Sequence, residues 1–313
     1  MLIVRRKGFL RNFLGTAIAA PKQLWRALRD MNNAQGTYIN TIIAMDFLLM
    51  ARFSRRPVVL HVHEIPLGKE LAIFRALVMF ANRPVIFNSE ASKKAFSLPA
   101  RFETHVVYNG FKDVGEPPRR GYESGKKLRI LVIGRINRWK GQEVLVDACA
   151  LLTPEVRQLV DVRIVGDVFE GLQELREALV DRINQAGLTD IIRVEPFEDD
   201  PRDSYLDADV VVVPSRLPEP FGRVAVEAMA YGCAVIASNH GGLTEIVVDG
   251  ETGKLFTPGD SNELARYITE MVQSPADVAR FARNGRARFV NTFTQDVIDR
   301  SFIDAIRPIL ASS

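Results

Sequence analysis

Short β-rich runs alternate with helical segments along most of this chain. Val210–Val213 is four consecutive valines, and Ile191–Val194 and Ala234–Ala237 are similarly continuous. Runs of this kind mark strands buried on both faces. Further strands are expected at Tyr38–Ile43, Val58–His61, Val85–Phe87, Thr104–Val107, Arg129–Ile133 and Val162–Val165. Helices are expected at Leu71–Ala81, Glu90–Phe96, Gly141–Leu152, Gly171–Ala186, Phe221–Tyr231, Asn262–Val272, Ala276–Phe289 and Thr294–Ile309. Repeated βα units imply parallel sheets with helices on both faces. The Pro-, Gly- and charge-rich stretch Gly115–Gly125 has boundary composition. The expected fold is therefore α/β, with two Rossmann-like domains and a ligand cleft at the carboxyl ends of their strands.

Charge divides the chain in the same way. Residues 1–127 hold 21 Lys/Arg and 9 Asp/Glu, a net +12, whereas the remainder is net −9. A basic first part points to an anionic partner, and a membrane surface or a phosphorylated substrate fits best. Nucleic acid is not expected, because no recognition signature or basic–aromatic tract is present. The longest apolar run, Tyr38–Ala51, is too short to span a bilayer and contains Asp46. Arg5-Arg6-Lys7 followed by Phe13–Ala20 mimics a signal peptide, but Arg11 and Asn12 interrupt it. Two readings stay open for this segment. Phe9, Leu10, Phe13, Leu14, Trp25 and Leu28, among Arg5, Arg6, Lys7, Arg11, Lys22, Arg26 and Arg29, could rest on the inner face of a membrane. They could equally form ordinary surface helices. Two cysteines, Cys149 and Cys233, exclude a disulfide scaffold and read as buried residues of a reducing, cytoplasmic protein.

Four segments carry candidate chemistry. Gly134-Arg135-Ile136-Asn137-Arg138-Trp139-Lys140-Gly141 joins a strand to a helix, with free amides and cations suited to phosphate. It is neither a Walker loop nor a G-x-G-x-x-G. In Pro214–Glu227, Pro220 fits a first helical turn, which places Glu219 just before the helix. The amides of Phe221, Gly222 and Arg223 would then point out of the helix end, and Gly222 would let a ligand approach the backbone. Glu227, inside an otherwise apolar helix, needs partners. His61 and His63 share a strand face, but no third metal ligand has a familiar spacing. Asn239–Glu245 is a glycine-rich loop, and a tight turn explains it equally well. Asp207-Ala208-Asp209 has the D-x-D form of a metal motif but precedes a strand. It reads as structural, so no metal cofactor is expected.

Glu219 to Glu227, with Pro-Phe-Gly between them, resembles the E-x7-E signature of retaining GT-B glycosyltransferases of family 4. Gly134-Arg135 with Lys140-Gly141 is similar to that family's "GR…KG" segment. Val165-Gly166-Asp167, Ala208-Asp209-Val210, Pro214-Ser215, Gly241–Glu245 and Asp249–Gly253 follow in the family order. Pro57–Glu64, Val85–Ser89 and Tyr108-Asn109-Gly110 resemble first-domain elements, so the likeness runs from about residue 37 to 300. The resemblance implies that Arg135 and Lys140 hold the diphosphate of a nucleotide-sugar donor. Glu227 would bind the ribose, and Glu219 with the amides after it the donor sugar. His63 would reach the sugar or phosphate. It also implies a shortened N-terminal domain at 1–124, a nucleotide-sugar-binding domain at 125–296, and a C-terminal helix at 297–313 that returns to the first domain. The chain departs from the family before Tyr38, where no opening strand and glycine-rich loop are seen. Truncation, or completion by a partner or oligomer, would explain this.

The expected function is thus sugar transfer from a nucleoside-diphosphate donor to a cell-envelope glycan or lipid-linked acceptor, without a metal. Two alternatives are a non-catalytic or partner-dependent nucleotide-sugar-binding protein and a nucleotide-sugar epimerase.

Overall fold

The computed structural model describes residues 9–118 and 121–311. The chain divides into two compact units: one runs to Tyr108 and resumes at Asp299, and the other is Asn109–Ile298.

The first unit is built on a four-stranded parallel sheet in sequence order, β1 (Thr37–Ile39), β2 (Val58–Val62), β3 (Val85–Phe87) and β4 (Thr104–Val106). Every residue of β2 and β3 is buried, as apolar runs without alternation require. Helices Phe9–Asn33, Met45–Met50, Lys69–Ala81 and Glu90–Phe96 flank the sheet. Met31, Ile42, Leu48, Val78 and Phe96 pack with the strand side chains into one core. Each fully buried residue of this size contributes about 1.5–3 kcal/mol. Ser89 starts the helix Glu90–Phe96 by accepting the Ser92 amide at 2.9 Å, and Ser97 in a left-handed conformation ends it. The first expected strand stops at Ile39, and the chain turns at Ile42 and Ile43, where the Thr41 hydroxyl accepts the Ile43 amide at 3.2 Å. Arg5, Arg6, Lys7 and the side chains of Phe9, Leu10, Arg11, Phe13 and Leu14 lie outside the described residues.

The second unit holds β5 (Leu128–Ile133), β6 (Val160–Val165), β7 (Ile192–Glu195), β8 (Val210–Val213), β9 (Ala234–Ser238) and β10 (Gly253–Phe256). All are parallel, in the order β10-β9-β8-β5-β6-β7. The chain builds outward through β6 and β7, then returns to lay β8 on the other side of β5. That reversal makes the carboxyl ends of β5 and β8 the topological switch point, where open α/β sheets bind ligands. The strands' side chains and helices Gln142–Ala150, Gln173–Gln185 and Ser261–Gln273 share one large core. Cys149 and Cys233 are both buried and unbonded to each other, and burial pushes the Cys149 thiol up to about 12.

The division falls at Tyr108/Asn109, whereas the change in composition suggested 124/125. The segment from Asn109 is held within the second unit. Phe111 exchanges backbone hydrogen bonds with Phe293 and Gln295, at 3.0 and 2.9 Å, and Arg286 bonds Asp113 and the Gly115 carbonyl. The last helix, Gln295–Ala311, passes from the second unit to the first at Asp299, not at residue 297. Among the described residues, no helix is long and apolar enough to cross a membrane.

Candidate active site

Two βα loops in the second unit meet at the switch point. Gly134 leaves β5 with φ +137°, and its amide donates to Val165 at 2.9 Å. A Cβ on Gly166 would lie 2.0 Å from the Gly134 carbonyl, so the turns after β5 and β6 touch backbone to backbone. The Asn137 side chain accepts the amides of Trp139 and Lys140, both at 2.9 Å, and bends the loop toward its helix. Gly141 lies against the other loop: a Cβ there would stand 2.1 Å from the Pro214 carbonyl. Arg216 donates its amide to Trp139 at 2.8 Å, and the Trp139 indole donates to Leu217 at 3.0 Å. These contacts fix the loop after β5 to the loop after β8.

This clamp brings Lys140 and Glu219 together. The ammonium stands 2.7 Å from Glu219 Oε1, and the Ser215 hydroxyl donates to the same oxygen at 2.5 Å. Glu219 is 7% exposed. A carboxylate this deep needs partners, and here a cation and a hydroxyl both meet Oε1. Gly241 and Gly242 close the site from behind. Added Cβ atoms would lie 2.4 Å from the Glu219 carbonyl and 2.3 Å from that of Phe221. His240 Nε2 lies 2.8 Å from the Ser215 carbonyl and donates to it.

The helix after this loop begins at Arg223, two residues later than the spacing suggested, because Gly222 adopts φ +115°. Pro220 therefore lies before the helix, not in its first turn. The missing side chain of Gly222 also serves packing: a Cβ there would be 2.6 Å from Leu243 Cδ2. The Phe221 side chain is 2% exposed and packs edge-on against Phe293. Glu227 belongs to a second network. Its Oε2 accepts the Tyr205 hydroxyl at 2.8 Å, and its Oε1 accepts Arg223 at 3.0 Å. Tyr205 is buried, and burial with Glu227 beside it pushes its hydroxyl well above the usual phenol range. Arg135 is exposed, with its guanidinium 3.4 Å above the Phe169 ring.

Asp207 and Asp209 are taken up by Arg129. Both Asp209 oxygens accept from its guanidinium, at 2.8 and 3.0 Å, and Asp207 accepts at 2.9 Å. This cluster precedes β8, at the opposite end of the strand from Glu219.

His61 and His63 sit at the end of β2 in the first unit. Their ring centroids are 3.9 Å apart, as side chains two residues apart on a strand allow. The Tyr38 hydroxyl bonds His61 Nδ1, and burial, with His63 alongside, pushes His61 down to about 3. Burial also lowers His63, with Glu64 opposing the shift. His63 Nε2 bonds Asn40 Oδ1 at 2.6 Å, and its amide donates to Glu64 at 3.0 Å. Among the described residues, no group of three or more His, Cys, Asp or Glu side chains could hold a metal ion.

Tyr205, Ser215 and His240 organise these carboxylates, and the sequence offered little sign of it. Tyr205 sits in a short helix with no motif of its own, whereas Ser215 and His240 lay in segments already singled out. Residues 117–288 match the model of the glycosyl transferases group 1. The match covers more than half of the chain, which therefore belongs to that family. The chain is 37% identical over 169 residues to a D-inositol 3-phosphate glycosyltransferase of Nocardiopsis dassonvillei, covering 52% of this chain and 39% of that protein. It is 32% identical over 227 residues to an alpha-maltose-1-phosphate synthase of Mycobacterium tuberculosis, covering 66% and 57%. The matched region is thus less than two thirds of either relative's length. The fold superposes on HepE of Anabaena in complex with UDP with a TM-score of 0.81 and 30% identity, covering 91% of this chain and 82% of that one. HepE has also been solved with UDP-glucose. Sucrose-phosphate synthase of Thermosynechococcus elongatus shares the fold, with a TM-score of 0.83, 24% identity and coverage of 100% and 82%. The two parallel-sheet units are those of a GT-B glycosyltransferase.

Proposed function

We propose that the chain is a retaining glycosyltransferase of family 4 that moves a sugar from a nucleoside diphosphate to a cell-envelope glycan or lipid-linked acceptor. The observation that carries this reading is the cluster of Lys140, Ser215 and Glu219 at the carboxyl ends of β5 and β8, followed by a helix bearing Glu227. In this reading the donor diphosphate lies against Gly134, Arg135 and Lys140. Glu227 takes the ribose hydroxyls. Glu219 and the amides of Phe221, Gly222 and Arg223 meet the sugar. His63, kept neutral by burial, acts on the sugar or phosphate.

In the transfer, the bond from the anomeric carbon to the diphosphate oxygen breaks and a bond to the acceptor hydroxyl forms on the same face. The departing phosphate oxygen takes the hydroxyl proton, so Glu219 is not required as a nucleophile. Negative charge grows on the diphosphate as the bond breaks. Arg135, Lys140 and the helix end supply the compensating charge, and this supports a reaction that needs no metal. Each such donor is worth about 3 kcal/mol in the transition state. Lys140→Ala should therefore lower turnover by about a hundredfold or more, and Glu227→Ala should weaken donor binding. Wild-type turnover and affinity in both variants would reject the site.

The partner surface proposed for the first unit is an anionic membrane face. Phe53 and Phe80 are 54% and 45% exposed, with ring centroids 6.1 Å apart. Arg52, Arg55 and Arg56, all exposed, adjoin Phe53 in the chain. Aromatic rings beside arginines suit an interface of acyl chains and phosphate headgroups.

A further inference from the structure

We infer that Tyr205 is a positioning residue for nucleotide recognition: it holds the Glu227 carboxylate in the orientation that receives the ribose hydroxyls of a nucleoside diphosphate. The inference rests on the proposed role of Glu227 and adds to it a residue that no motif marks.

Among the described residues, two groups bond the Glu227 side chain, and they differ in what they can hold. Arg223 reaches Oε1 at 3.0 Å, but its side chain is 69% exposed. A long exposed arginine gains little from such a pair, because fixing it costs conformational entropy. Tyr205 is 1% exposed, and its hydroxyl donates to Oε2 at 2.8 Å. Its ring stacks on Tyr231 at 5.2 Å, with 6° between the planes. Its backbone is held on both sides: its amide donates to Pro201 at 3.1 Å, and its carbonyl accepts the Cys233 thiol at 3.3 Å. The phenol is thus an immobile donor. With its pKa pushed well up, it keeps its proton throughout the ordinary pH range.

A carboxylate can bind a vicinal diol through oxygens that already face the right way. The Tyr205 bond fixes Oε2 and with it the plane of the carboxylate. Oε1 then faces the arginine side, where a ligand hydroxyl can replace the weakly held guanidinium. Without the phenol hydroxyl, Glu227 must be ordered by the ligand itself, at the ligand's expense in affinity.

The test is calorimetric titration of the full chain with UDP and with 2′,3′-dideoxy-UDP, in wild type and in Tyr205→Phe. Phenylalanine keeps the stacked ring and removes only the hydroxyl. The inference predicts that the variant loses about tenfold in UDP affinity while its affinity for the dideoxy nucleotide stays within twofold of wild type. An unchanged preference for UDP over the dideoxy form would overturn the inference. So would an equal loss for both nucleotides, which would make Tyr205 a packing residue only. A wild-type chain that binds both nucleotides equally would instead refute the ribose role of Glu227, and this inference with it.

Discussion

Glu219 is buried, yet it carries a charge that Lys140 and Ser215 share through a single oxygen. The E-x7-E spacing and the loop cations were legible in the sequence because glutamates and glycines at βα junctions form a recognisable pattern. The partners were not, because Lys140 and Glu219 are 79 residues apart and only the folded clamp joins them. Gly222 was singled out for its place at the helix start, but its contact with Leu243, 21 residues on, had no local signal. His61 offers a prediction at this scale. Its folded pKa, near 3, lies below the ordinary value of 6.5. The neutral form is therefore the one the fold favours. Its contribution to stability is complete above pH 6.5 and is lost as pH falls toward 3. The slope reaches about 1.4 kcal/mol per pH unit. Melting temperatures followed from pH 7 to 4.5 should fall less steeply in His61→Phe than in wild type. Parallel curves would show that His61 titrates normally.

Among the elements, those with an apolar run or a clear cap were readable, down to the three residues of β3 and the capped helix Glu90–Phe96, and those without such a signal were not. The four valines of β8 and the amphipathic helix Ser261–Gln273 appear where expected. β10 (Gly253–Phe256) was missed, since a glycine and a lysine break its apolar run. The helices Met45–Met50, Pro154–Arg157 and Arg202–Asp207, of four to six residues, are too short to show a period. The turn Ala51–Phe53 and the residues after it set the proposed membrane surface. Asn32, in the helix Phe9–Asn33, accepts the Arg55 amide at 2.9 Å, and its carbonyl accepts Arg56 Nε at 3.4 Å. Arg83 bonds the Ala51 and Ser54 carbonyls at 2.9 and 2.6 Å. A turn anchored in this way presents Phe53 without reorganising. The full chain should sediment with vesicles containing phosphatidylglycerol, lose that binding at high salt, and ignore phosphatidylcholine vesicles. Replacing Phe53 and Phe80 by Ser should reduce binding several-fold. Equal binding to both vesicle types, or binding to RNA in preference to either, would contradict the assignment.

For the whole chain, the alternation of strands and helices was enough to read two parallel-sheet units. The exact division was not readable, because a Pro- and Gly-rich composition marks a flexible stretch of chain and not the unit its neighbours pack against. Phe111 and Asp113 join the second unit through residues 173 or more positions away, which a local signal cannot encode. The second unit holds the Lys140–Glu219 and Tyr205–Glu227 networks within one sheet. We propose that this constellation receives a nucleotide sugar without a metal. The direct measurement is titration of the purified chain with UDP-glucose in a calorimeter, with and without EDTA. Saturable binding of one nucleotide sugar per chain is expected, unchanged by EDTA and weakened by Glu227→Ala. A folded chain that binds no UDP-, GDP- or ADP-sugar, or one whose binding vanishes with EDTA and returns with a divalent cation, would contradict it.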